Sequence, residues 1–373
     1  MKRYFQRPAH IGVMLLAGMV TFAGACSSDN AGGGSTDAGD GLTLVRLVTS
    51  NSGPSASDTP IHIAMDEGWF EEEGLRVEIV FSPGSGAAIQ QLAAGNADIA
   101  STTPASVMQA NLQGTPVSMV LQHNYKQPFD IAAPAGSGIN TIADLRGKTI
   151  GVSELSGGEM PMVRAALAVA GLDEGADVKI IPAGEGDPST VNALKNGTIN
   201  AYASSTRDIV NLGTNGFETE MVSITPAEVA AFPGDGMAAK TELVEQKPDV
   251  VEGFTRAALK GLVYTMSNPD AAFTYAQANL AEALATDPVL ARTYFDLTIE
   301  NFGPVLPPSV PNRGLFDRAS YETLMGFLQQ GDDETRVLDG PVDLDVVLKP
   351  ALVEKVWSTT DFAAIEEKAK GAS

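Results

Sequence analysis

Apolar residues follow two alternating spacings along most of the chain, one typical of strands and one typical of helices. Apolar runs of strand length occupy 42–48, 77–81, 99–100, 117–121, 149–152, 178–181 and 199–203. Helical spacing is found over 60–73, 162–170 and 189–196, and these segments end at Gly or Asn, which commonly terminate helices. Strands that alternate with helices in this way predict an α/β fold.

The order of elements begins again after Asn124, which predicts two lobes, each a mixed sheet flanked by helices. Segment 129–133 is predicted as an extended connector, and 221–224 as a return toward the first lobe. The chain becomes rich in helices beyond Phe232, and these helices are predicted to pack on the first lobe. The predicted divisions are 42–128 for the first part of lobe 1, 129–231 for lobe 2, and 232–373 for the rest of lobe 1 with a helical tail.

The N-terminus has the composition of an export signal. Three basic residues precede an uncharged run over 11–25, which is shorter than the roughly 20 residues needed to span a bilayer. Small residues then lead into Cys26, the single cysteine of the sequence. The pattern predicts a lipoprotein signal over 1–25, lipidation of Cys26, a flexible tether over 26–41 and an anchored location at the extracytoplasmic face of the cell membrane. An ordinary secretory signal with an incidental cysteine is the alternative, because Ala23 stands where such signals usually carry Leu.

The charge of the chain excludes one class of partner. Its 24 Lys and Arg stand against 46 Asp and Glu, which gives a formal net charge of −22. Such a surface repels nucleic acid and anionic lipid, so membrane contact is predicted through the N-terminal lipid alone. Only His62 and His123 follow the signal segment. A His/Cys metal site and a bound cofactor are therefore not expected.

Four motifs resemble segments of the solute-binding proteins that serve ABC importers. They are IAMDEGWFEEEGL at 63–75, AGNADIA at 94–100, IADLRGKTIGV at 142–152 and LKNGTINA at 194–201. Their order is similar to the branch that binds sulfonates, taurine, nitrate, bicarbonate or thiamine-pyrimidine precursors, and it covers roughly 42–269. The resemblance implies a two-lobed periplasmic-binding-protein fold of type II, a monomer that closes on a small polar solute and delivers it to a permease with its ATPase.

The candidate ligand residues come from loops at the predicted carboxyl ends of strands. Ligands of open α/β sheets bind there, where helix N-termini present unpaired N–H groups. One helix terminus contributes at most about 2 kcal/mol, so several loops must act together. The candidates are Asn51, Ser85, Thr102, Thr103, Asn124, Glu154, Ser156, Gly157, Ser204, Ser205 and Arg207.

Two classes of solute fit these loops. Arg207 is the candidate partner of a sulfonate, nitrate or carboxylate. Three acidic residues of the same predicted cleft, Glu154, Glu159 and Asp235, would repel an anion. Aromatic residues near the predicted crossings are candidates for stacking on a flat heterocycle such as an aminopyrimidine. They are Tyr125, Phe129, Tyr202 and Phe232. The choice between an anion and a heterocycle stays open at this point.

Two other functions are alternatives to transport. An enzyme similar to a pyrimidine synthase is the less favoured one, because the sequence shows no nucleophile elbow, no P-loop and few histidines. No catalytic residue is therefore predicted. A lipid-anchored sensor needs the same closing cleft as a transport component, so the sequence does not separate these two functions.

Overall fold

A computed structural model describes residues 41–224, 229, 231–284, 287–307 and 309–372. The predicted signal over 1–25, Cys26 and all of the predicted tether except Gly41 lie outside the described residues. The ten strands of the described part are β1 (Thr43–Thr49), β2 (Leu75–Phe81), β3 (Ile99–Thr102), β4 (Val117–Gln122), β5 (Phe129–Pro134), β6 (Thr149–Val152), β7 (Lys179–Pro182), β8 (Ala201–Ser205), β9 (Thr219–Met221) and β10 (Gly236–Lys240).

The α-helices alternate with the strands in the first part of the chain and follow one another in the last. The first six are α1 (Thr59–Asp66), α2 (Gly84–Ala94), α3 (Pro104–Leu112), α4 (Met160–Val169), α5 (Pro188–Lys195) and α6 (Thr206–Thr214). The others are α7 (Thr241–Gln246), α8 (Pro248–Ser267), α9 (Pro269–Asn279), α10 (Pro288–Asn301), α11 (Arg318–Leu328), α12 (Leu344–Val347), α13 (Pro350–Thr359) and α14 (Phe362–Gly371).

The strands form two five-stranded sheets. The first has the order β2-β1-β3-β10-β4, and the second has the order β7-β6-β8-β5-β9. In each sheet the first three strands are parallel, and one strand inserted from a distant part of the chain runs antiparallel to its neighbours. The chain passes between the sheets twice, after β4 and after β9. The proposed lobe boundaries, after 128 and after 231, fall at these two crossings.

Two predictions about the crossings were wrong. Segment 129–133, predicted as a connector, is strand β5 and lies inside the second sheet between β8 and β9. Its central residues Ile131, Ala132 and Ala133 are all buried, so a polar-apolar alternation was absent from the sequence. Segment 221–224 does not return to the first lobe at its start, because β9 pairs with β5.

Two further predictions need correction. The helix predicted over 60–73 ends at Asp66, because Gly68 adopts a left-handed φ of 74° and Trp69 N–H donates to Ala64 O. The helices beyond Phe232 do not pack on the first lobe alone. Helix α8 packs on α1, as expected, but α10 also contacts α6 and α11 contacts both α3 and α4. The last third of the chain therefore touches both lobes.

The Gln122 side chain joins the two crossings. Its Nε2 donates to Asn124 O (2.6 Å) in the first crossing and to Gly234 O (2.9 Å) in the second, and its Oε1 accepts from the Tyr321 hydroxyl. Gln122 and Tyr321 are both almost fully buried. This side chain therefore fixes the segments about which the lobes would move.

Replacing Gln122 with leucine should lower the free energy of unfolding by about 3 kcal/mol or more, because several buried polar groups lose their partner at about 1–3 kcal/mol each. Urea unfolding measures this loss. Gln91→Leu is the matched control, since its Oε1 accepts a surface hydrogen bond from Asn96, and it should change stability by less than about 1 kcal/mol. Equal effects of the two substitutions would contradict the role of Gln122.

Candidate functional site

A chamber lies between the two lobes at the carboxyl ends of strands from both sheets. Its cavity volume is about 150 Å³, and it opens to solvent. Loops after β1, β2 and β4 form one wall, loops after β6, β7 and β8 form the other, and α10 adds two polar residues. We call this space the cleft chamber. It is lined by Ser50, Asn51, Ser52, Ser55, Ser57, Gly84, Ser85, Asn124, Pro128, Phe129, Ser153, Glu154, Gly157, Gly158, Glu159, Glu185, Ser204, Ser205, Arg207, Asp208, Asp235, Thr298 and Asn301.

The structure brings most of the sequence-predicted ligand residues together here. Eight of the eleven candidates line the cleft chamber, and they come from both lobes. They are Asn51, Ser85, Asn124, Glu154, Gly157, Ser204, Ser205 and Arg207. Their contact with a solute stays a prediction.

The other three candidates do not line the chamber. Thr102 is fully buried, and its hydroxyl donates to Ser85 O (3.3 Å). Thr103 is the N-cap of α3, because its Oγ1 accepts from Ser106 N–H (3.2 Å). Ser156 donates from Oγ to Pro83 O (2.6 Å) in the opposite lobe. Their hydroxyls are already used by the protein, for packing, capping and lobe contact.

The two lobes are in contact at the mouth of the cleft chamber. Ser156 donates to Pro83 O, and Ser156 O accepts in return from Gly86 N–H (3.1 Å). On the same side, Ser52 Oγ donates to Glu154 Oε1 (3.2 Å). These hydrogen bonds join the loop after β6 to loops after β1 and β2. The structure therefore represents the closed arrangement of the lobes.

The cleft chamber is strongly acidic. Five carboxylates line it, from Glu154, Glu159, Glu185, Asp208 and Asp235, and Arg207 is the one Lys or Arg among its described lining residues. The Ser204 hydroxyl donates to Asp208, and Ser153 N–H donates to Glu159 (3.0 Å). Burial raises the pKa of both Glu159 and Glu185, although neighbouring donors and Arg207 oppose that shift. The chamber thus presents many acceptors and a large negative charge.

Arg207 is paired with two carboxylates in the structure. Its Nε and Nη2 each lie 3.3 Å from Asp208 Oδ1, and Nη2 is 3.5 Å from Glu185 Oε2. Burial disfavours the guanidinium charge, but these two carboxylates more than offset that effect and raise the pKa of Arg207. Pairing of Arg207 with an anionic solute stays a prediction, and such a solute would compete with these two carboxylates.

Several lining residues were missed from the sequence. Glu185 follows strand β7, so the rule about carboxyl ends of strands identifies it once that strand is included. Asp208 lies in the first turn of α6, a helix that was not predicted. Thr298 and Asn301 come from α10. This helix is far from the other lining loops in sequence, so its position beside the cleft chamber could not be predicted.

One of the four aromatic candidates lines the cleft chamber, and the other three are used by the protein itself. Phe129 lines the cleft chamber. Tyr202 and Phe232 are fully buried in the protein, and the Tyr125 hydroxyl donates to Leu315 O (2.9 Å) and accepts from Gly314 N–H (2.7 Å). Only Phe129 among these four offers a ring to a solute in the cleft chamber.

A second chamber continues from the first into lobe 1. Its cavity volume is only about 20 Å³, room for about one water molecule, and it shares Ser50, Asn51, Ser57 and Asp235 with the cleft chamber. We call it the inner chamber. The rest of its lining consists of Leu47, Thr49, Asp58, Pro60, Ile61, Ile79, Ser101, Leu121, His123, Met237, Ala258, Leu262 and Phe302. It lies between one face of the first sheet and helices α1 and α8.

Three titratable groups of the inner chamber have shifted pKa values. Burial raises the pKa of Asp58 to about 7, against a hydrogen bond from Ser55 N–H that lowers it. Burial also raises the pKa of Asp235 to about 6. Burial lowers the pKa of His123 to about 4, so this imidazole is neutral at pH 7. Each shift favours the uncharged form of the side chain.

The described residues lack two kinds of feature that other functions would use. They contain no group of three or more His, Cys, Asp or Glu side chains arranged to hold a metal ion. Within the same ranges, every helix is too short or too polar to cross a bilayer.

Solved structures identify the fold as that of the periplasmic binding proteins. A protein of Bordetella bronchiseptica RB50 superposes with a TM-score of 0.68 at 20% identity, over 84% of this chain and 97% of that one. The periplasmic aliphatic sulphonate binding protein SsuA of Escherichia coli superposes with a TM-score of 0.53 at 16% identity, over 68% and 83% of the two chains. The predicted two-lobed fold is confirmed.

Sequence comparison identifies the family. Residues 55–272, more than half of the chain, match the family described as NMT1/THI5 like. The chain belongs to the NMT1/THI5-like family, which confirms the resemblance found in its motifs.

Three curated relatives are similar to this chain. The riboflavin-binding protein RibY of Chloroflexus aurantiacus is 30% identical over 64% of this chain and 67% of its own length. The formylaminopyrimidine-binding protein of Halalkalibacterium halodurans is 27% identical over 62% and 69% of the two chains. The third, from Legionella pneumophila, is a 4-amino-5-hydroxymethyl-2-methylpyrimidine phosphate synthase, 23% identical over 58% and 67%. Two of these relatives are thus named as binding proteins and one as an enzyme.

Proposed function

We propose that this protein is the extracytoplasmic solute-binding component of an ABC importer, a monomer that closes on a small polar solute and delivers it to a permease and its ATPase. The family and the fold support this proposal, and so do the names of two of the three relatives. Both lobes contribute polar residues to the walls of the cleft chamber. A solute bound there would bridge the lobes and favour their closure.

The solute that we propose is a heterocycle rich in hydrogen-bond donors, similar to a pyrimidine, and not a sulfonate or nitrate. The observation that carries this choice is the charge of the cleft chamber, where five carboxylates face one arginine that two of them already pair. A unit anion about 4 Å from one unpaired carboxylate is disfavoured by roughly 4 kcal/mol at the effective dielectric constant of a protein surface. Amino and ring N–H groups instead match the acceptors that line the walls.

A ligand panel tests this choice directly. Riboflavin and 4-aminopyrimidines should raise the melting temperature of the protein, because a ligand at about 100 times its Kd stabilises the folded state by about 2.7 kcal/mol. Taurine, alkanesulfonates and nitrate should leave the melting temperature unchanged. Differential scanning fluorimetry gives the shifts, and calorimetric titration confirms each hit. Stabilisation by the anions without any by the heterocycles would overturn the proposed solute class.

Binding without catalysis is the function we propose for this cleft. The inner chamber holds His123, whose imidazole is buried and neutral, and the cleft chamber contains no His or Cys among its described lining residues. The protein is incubated with an aminopyrimidine, and the compound is then analysed by mass spectrometry. We expect the compound to be recovered unchanged. Conversion of the compound would favour the synthase-like alternative.

Anchoring through Cys26 is part of the proposal and explains how a binding protein remains near its permease. Replacing Cys26 with serine should move the protein from the membrane fraction to the soluble fraction, since the thioether is the proposed attachment point of the lipid. Fractionation followed by immunoblotting measures the distribution. Ligand binding by the released protein should equal that of the anchored form. Retention of Cys26→Ser in the membrane fraction would contradict lipidation.

A further inference from the structure

Helix α10 has a stripe of polar residues along one side. Tyr294 and Thr298 are four residues apart, and Thr298 and Asn301 are three apart, so all three lie on one face of the helix. Thr298 and Asn301 line the cleft chamber, and Tyr294 lines a neighbouring surface pocket that shares Glu154 and Glu185 with it. This polar stripe therefore follows the side of the cleft from the chamber outward.

A neighbouring face of α10 is buried in lobe 1. Ala291 and Phe295 are buried, and the Phe295 ring packs against Phe273 of α9 with centroids 5.3 Å apart. At the C-terminal end of the helix, Asn301 O accepts from Tyr125 N–H (2.8 Å) in the first crossing. Lobe 1 and the crossing thus hold α10 in place beside the cleft.

Two side chains of the polar stripe offer hydrogen bonds to a solute in the chamber. Thr298 Oγ1 donates to Tyr294 O within the helix (3.0 Å), so its proton is committed and its lone pairs remain to accept. Asn301 lines the chamber, and its amide offers both a donor and an acceptor. Together they match a solute group that donates to Thr298 and exchanges hydrogen bonds with Asn301.

A buried acceptor without a partner lies beside this end of α10. Asn124 Oδ1 is buried and forms no hydrogen bond with the described part of the protein, and the residue lines the cleft chamber. Asn124 directly precedes Tyr125, whose N–H contacts Asn301 O. Buried polar atoms are normally satisfied, so an open acceptor here indicates a solute donor close to Asn301.

Tyr294 connects α10 to lobe 2. Its hydroxyl donates to Asn211 Oδ1 (2.9 Å) on α6, and Asn211 Nδ2 donates in turn to Glu185 O (3.1 Å) after β7. Glu185 lines the cleft chamber. This contact between the lobes is separate from the one at the mouth, so α10 both lines the cleft and touches the opposite lobe.

The polar stripe lies outside the part of the chain that matches the family. That part covers 55–272, and α10 begins at Pro288. The family pattern therefore does not specify these three residues, and a change in them can alter the choice of solute while the family motifs are kept.

We propose that α10 is a third recognition wall of the cleft, in which Thr298 and Asn301 contact the solute and Tyr294 holds lobe 2 closed over it. This inference rests on the proposed function, because the wall acts on the same solute. Thr298 and Asn301 determine specificity, since a solute that lacks the matching group leaves their polar atoms unpaired and is strongly rejected. Tyr294 is a positioning residue, which acts on the solute through Asn211 and the loop of Glu185.

The first experiment tests the two solute contacts by calorimetric titration of the whole protein with riboflavin, 4-aminopyrimidine and taurine. Thr298→Val removes the hydroxyl and conserves shape, and Asn301→Leu removes the amide. Thr293→Val is the matched control, because Thr293 Oγ1 makes the same kind of bond within α10, to Val289 O (2.9 Å), but is exposed and lines neither chamber. We expect Thr298→Val and Asn301→Leu each to weaken binding of the probe at least about tenfold, and Thr293→Val to change it by less than about twofold.

The second experiment tests Tyr294 with and without a solute. Tyr294→Phe removes only the hydroxyl that donates to Asn211, and Tyr275→Phe is the matched control, because the Tyr275 hydroxyl donates to Asp66 Oδ2 (2.5 Å) within lobe 1. In surface plasmon resonance, Tyr294→Phe should speed dissociation of the bound probe about fivefold through loss of one hydrogen bond, whereas Tyr275→Phe should leave the rate unchanged. In the absence of a probe, small-angle X-ray scattering should give a larger radius of gyration for Tyr294→Phe than for Tyr275→Phe.

Failure of this inference can be told apart from failure of the proposed function. If the wild-type protein binds riboflavin or 4-aminopyrimidine and both Thr298→Val and Asn301→Leu bind it equally well, the recognition wall is overturned and the proposed function stands. If only taurine binds, the proposed solute class fails, and loss of taurine affinity in Asn301→Leu would still support the wall. If no probe binds, the solute contacts fail with the proposed function, and equal radii of gyration of Tyr294→Phe and Tyr275→Phe would overturn the role of Tyr294 as well.

Discussion

Replacing Gly84 with alanine is expected to weaken solute binding at least about 100-fold by preventing closure of the lobes. Gly84 begins α2 in lobe 1, with a left-handed φ of 83°. A Cβ atom at this position would lie 2.4 Å from Ser156 O and 2.9 Å from Gly157 Cα in lobe 2. Both are backbone atoms, so no side-chain rotation relieves the clash. This clash destabilises the closed arrangement in addition to the strain of alanine at a left-handed φ, which is present whether the lobes are open or closed.

The expected effect follows from the distribution between open and closed states. A solute that binds between closed lobes has an apparent affinity proportional to the closed fraction, and each 1.4 kcal/mol lost by the closed state is about a factor of ten. Calorimetric titration with the best ligand of the panel measures affinity. Small-angle X-ray scattering measures the radius of gyration, which should fall on ligand addition in the wild-type protein and stay larger in Gly84→Ala.

Gly74→Ala is the matched control for backbone strain. Gly74 has a similar φ of 70°, but a Cβ there would meet no atom within 4 Å. Both substitutions place alanine in the left-handed region, at about 1–2 kcal/mol each. Only Gly84→Ala adds the contact with lobe 2. Affinity of Gly84→Ala within about threefold of that of Gly74→Ala would show that binding does not require the lobe contact seen here.

Most strands could be predicted from the sequence because the residue pattern that marks a strand is local. Runs such as Val117–Gln122 and Thr149–Val152 are short, apolar and bounded by turn residues, so their type can be assigned without tertiary information. Strand β5 was predicted as a connector because its place in the sheet is not a local property. Its middle residues are buried inside the second sheet, and its position between β8 and β9 depends on pairing with these two strands, which are distant in sequence.

The site was predictable where it follows from strand ends, and unpredictable where it depends on side-chain partners. Asn51, Ser85 and Ser204 were found because each lies at the end of a strand. The pairing of Arg207 with Asp208 and Glu185 was not predictable, since it requires the loop after β7 to meet α6. That pairing is one reason why the proposed function favours a donor-bearing heterocycle over an anion. Asp235 of the inner chamber was placed in the cleft from the sequence, but the extension of the space into lobe 1 was not predicted, because its lining comes from β1, α1, α8 and both crossings.

The acidic residues of the site have two different physical effects, depending on where they lie. Carboxylates in the cleft chamber line the space between the lobes and set the charge that a solute meets. Asp58 is buried beneath them in the inner chamber, and its Oδ2 accepts from Ser55 N–H (2.9 Å). An ionised carboxylate at such a position is disfavoured by loss of hydration, which is why its pKa is raised. The consequence for folding differs in sign from that of a surface carboxylate.

Replacing Asp58 with asparagine is expected to stabilise the protein increasingly as the pH rises. The unfolded chain ionises Asp58 near its usual pKa of 3.8, whereas the folded protein holds the proton until the pH is about 7. Between these values the unfolded state binds fewer protons, so wild-type stability falls by about 1.4 kcal/mol per pH unit from this group. The asparagine side chain does not titrate and can still accept from Ser55 N–H. The advantage of Asp58→Asn over wild type should grow by about 3 kcal/mol between pH 5 and pH 8.

Urea unfolding at pH 5, 6, 7 and 8 measures this difference. The comparison with wild type cancels the contributions of the other titratable groups to the free energy of unfolding. His123 contributes with the opposite sign, because its lowered pKa makes stability rise with pH up to about 6.5, but it is present in both proteins. Asp144→Asn is the matched control. Asp144 occupies the same kind of capping box, with Thr141, but it is exposed and its hydrogen bonds lower its pKa. Asp144→Asn should therefore destabilise the protein above about pH 4. A constant difference between Asp58→Asn and wild type across this range would contradict burial of an ionisable Asp58.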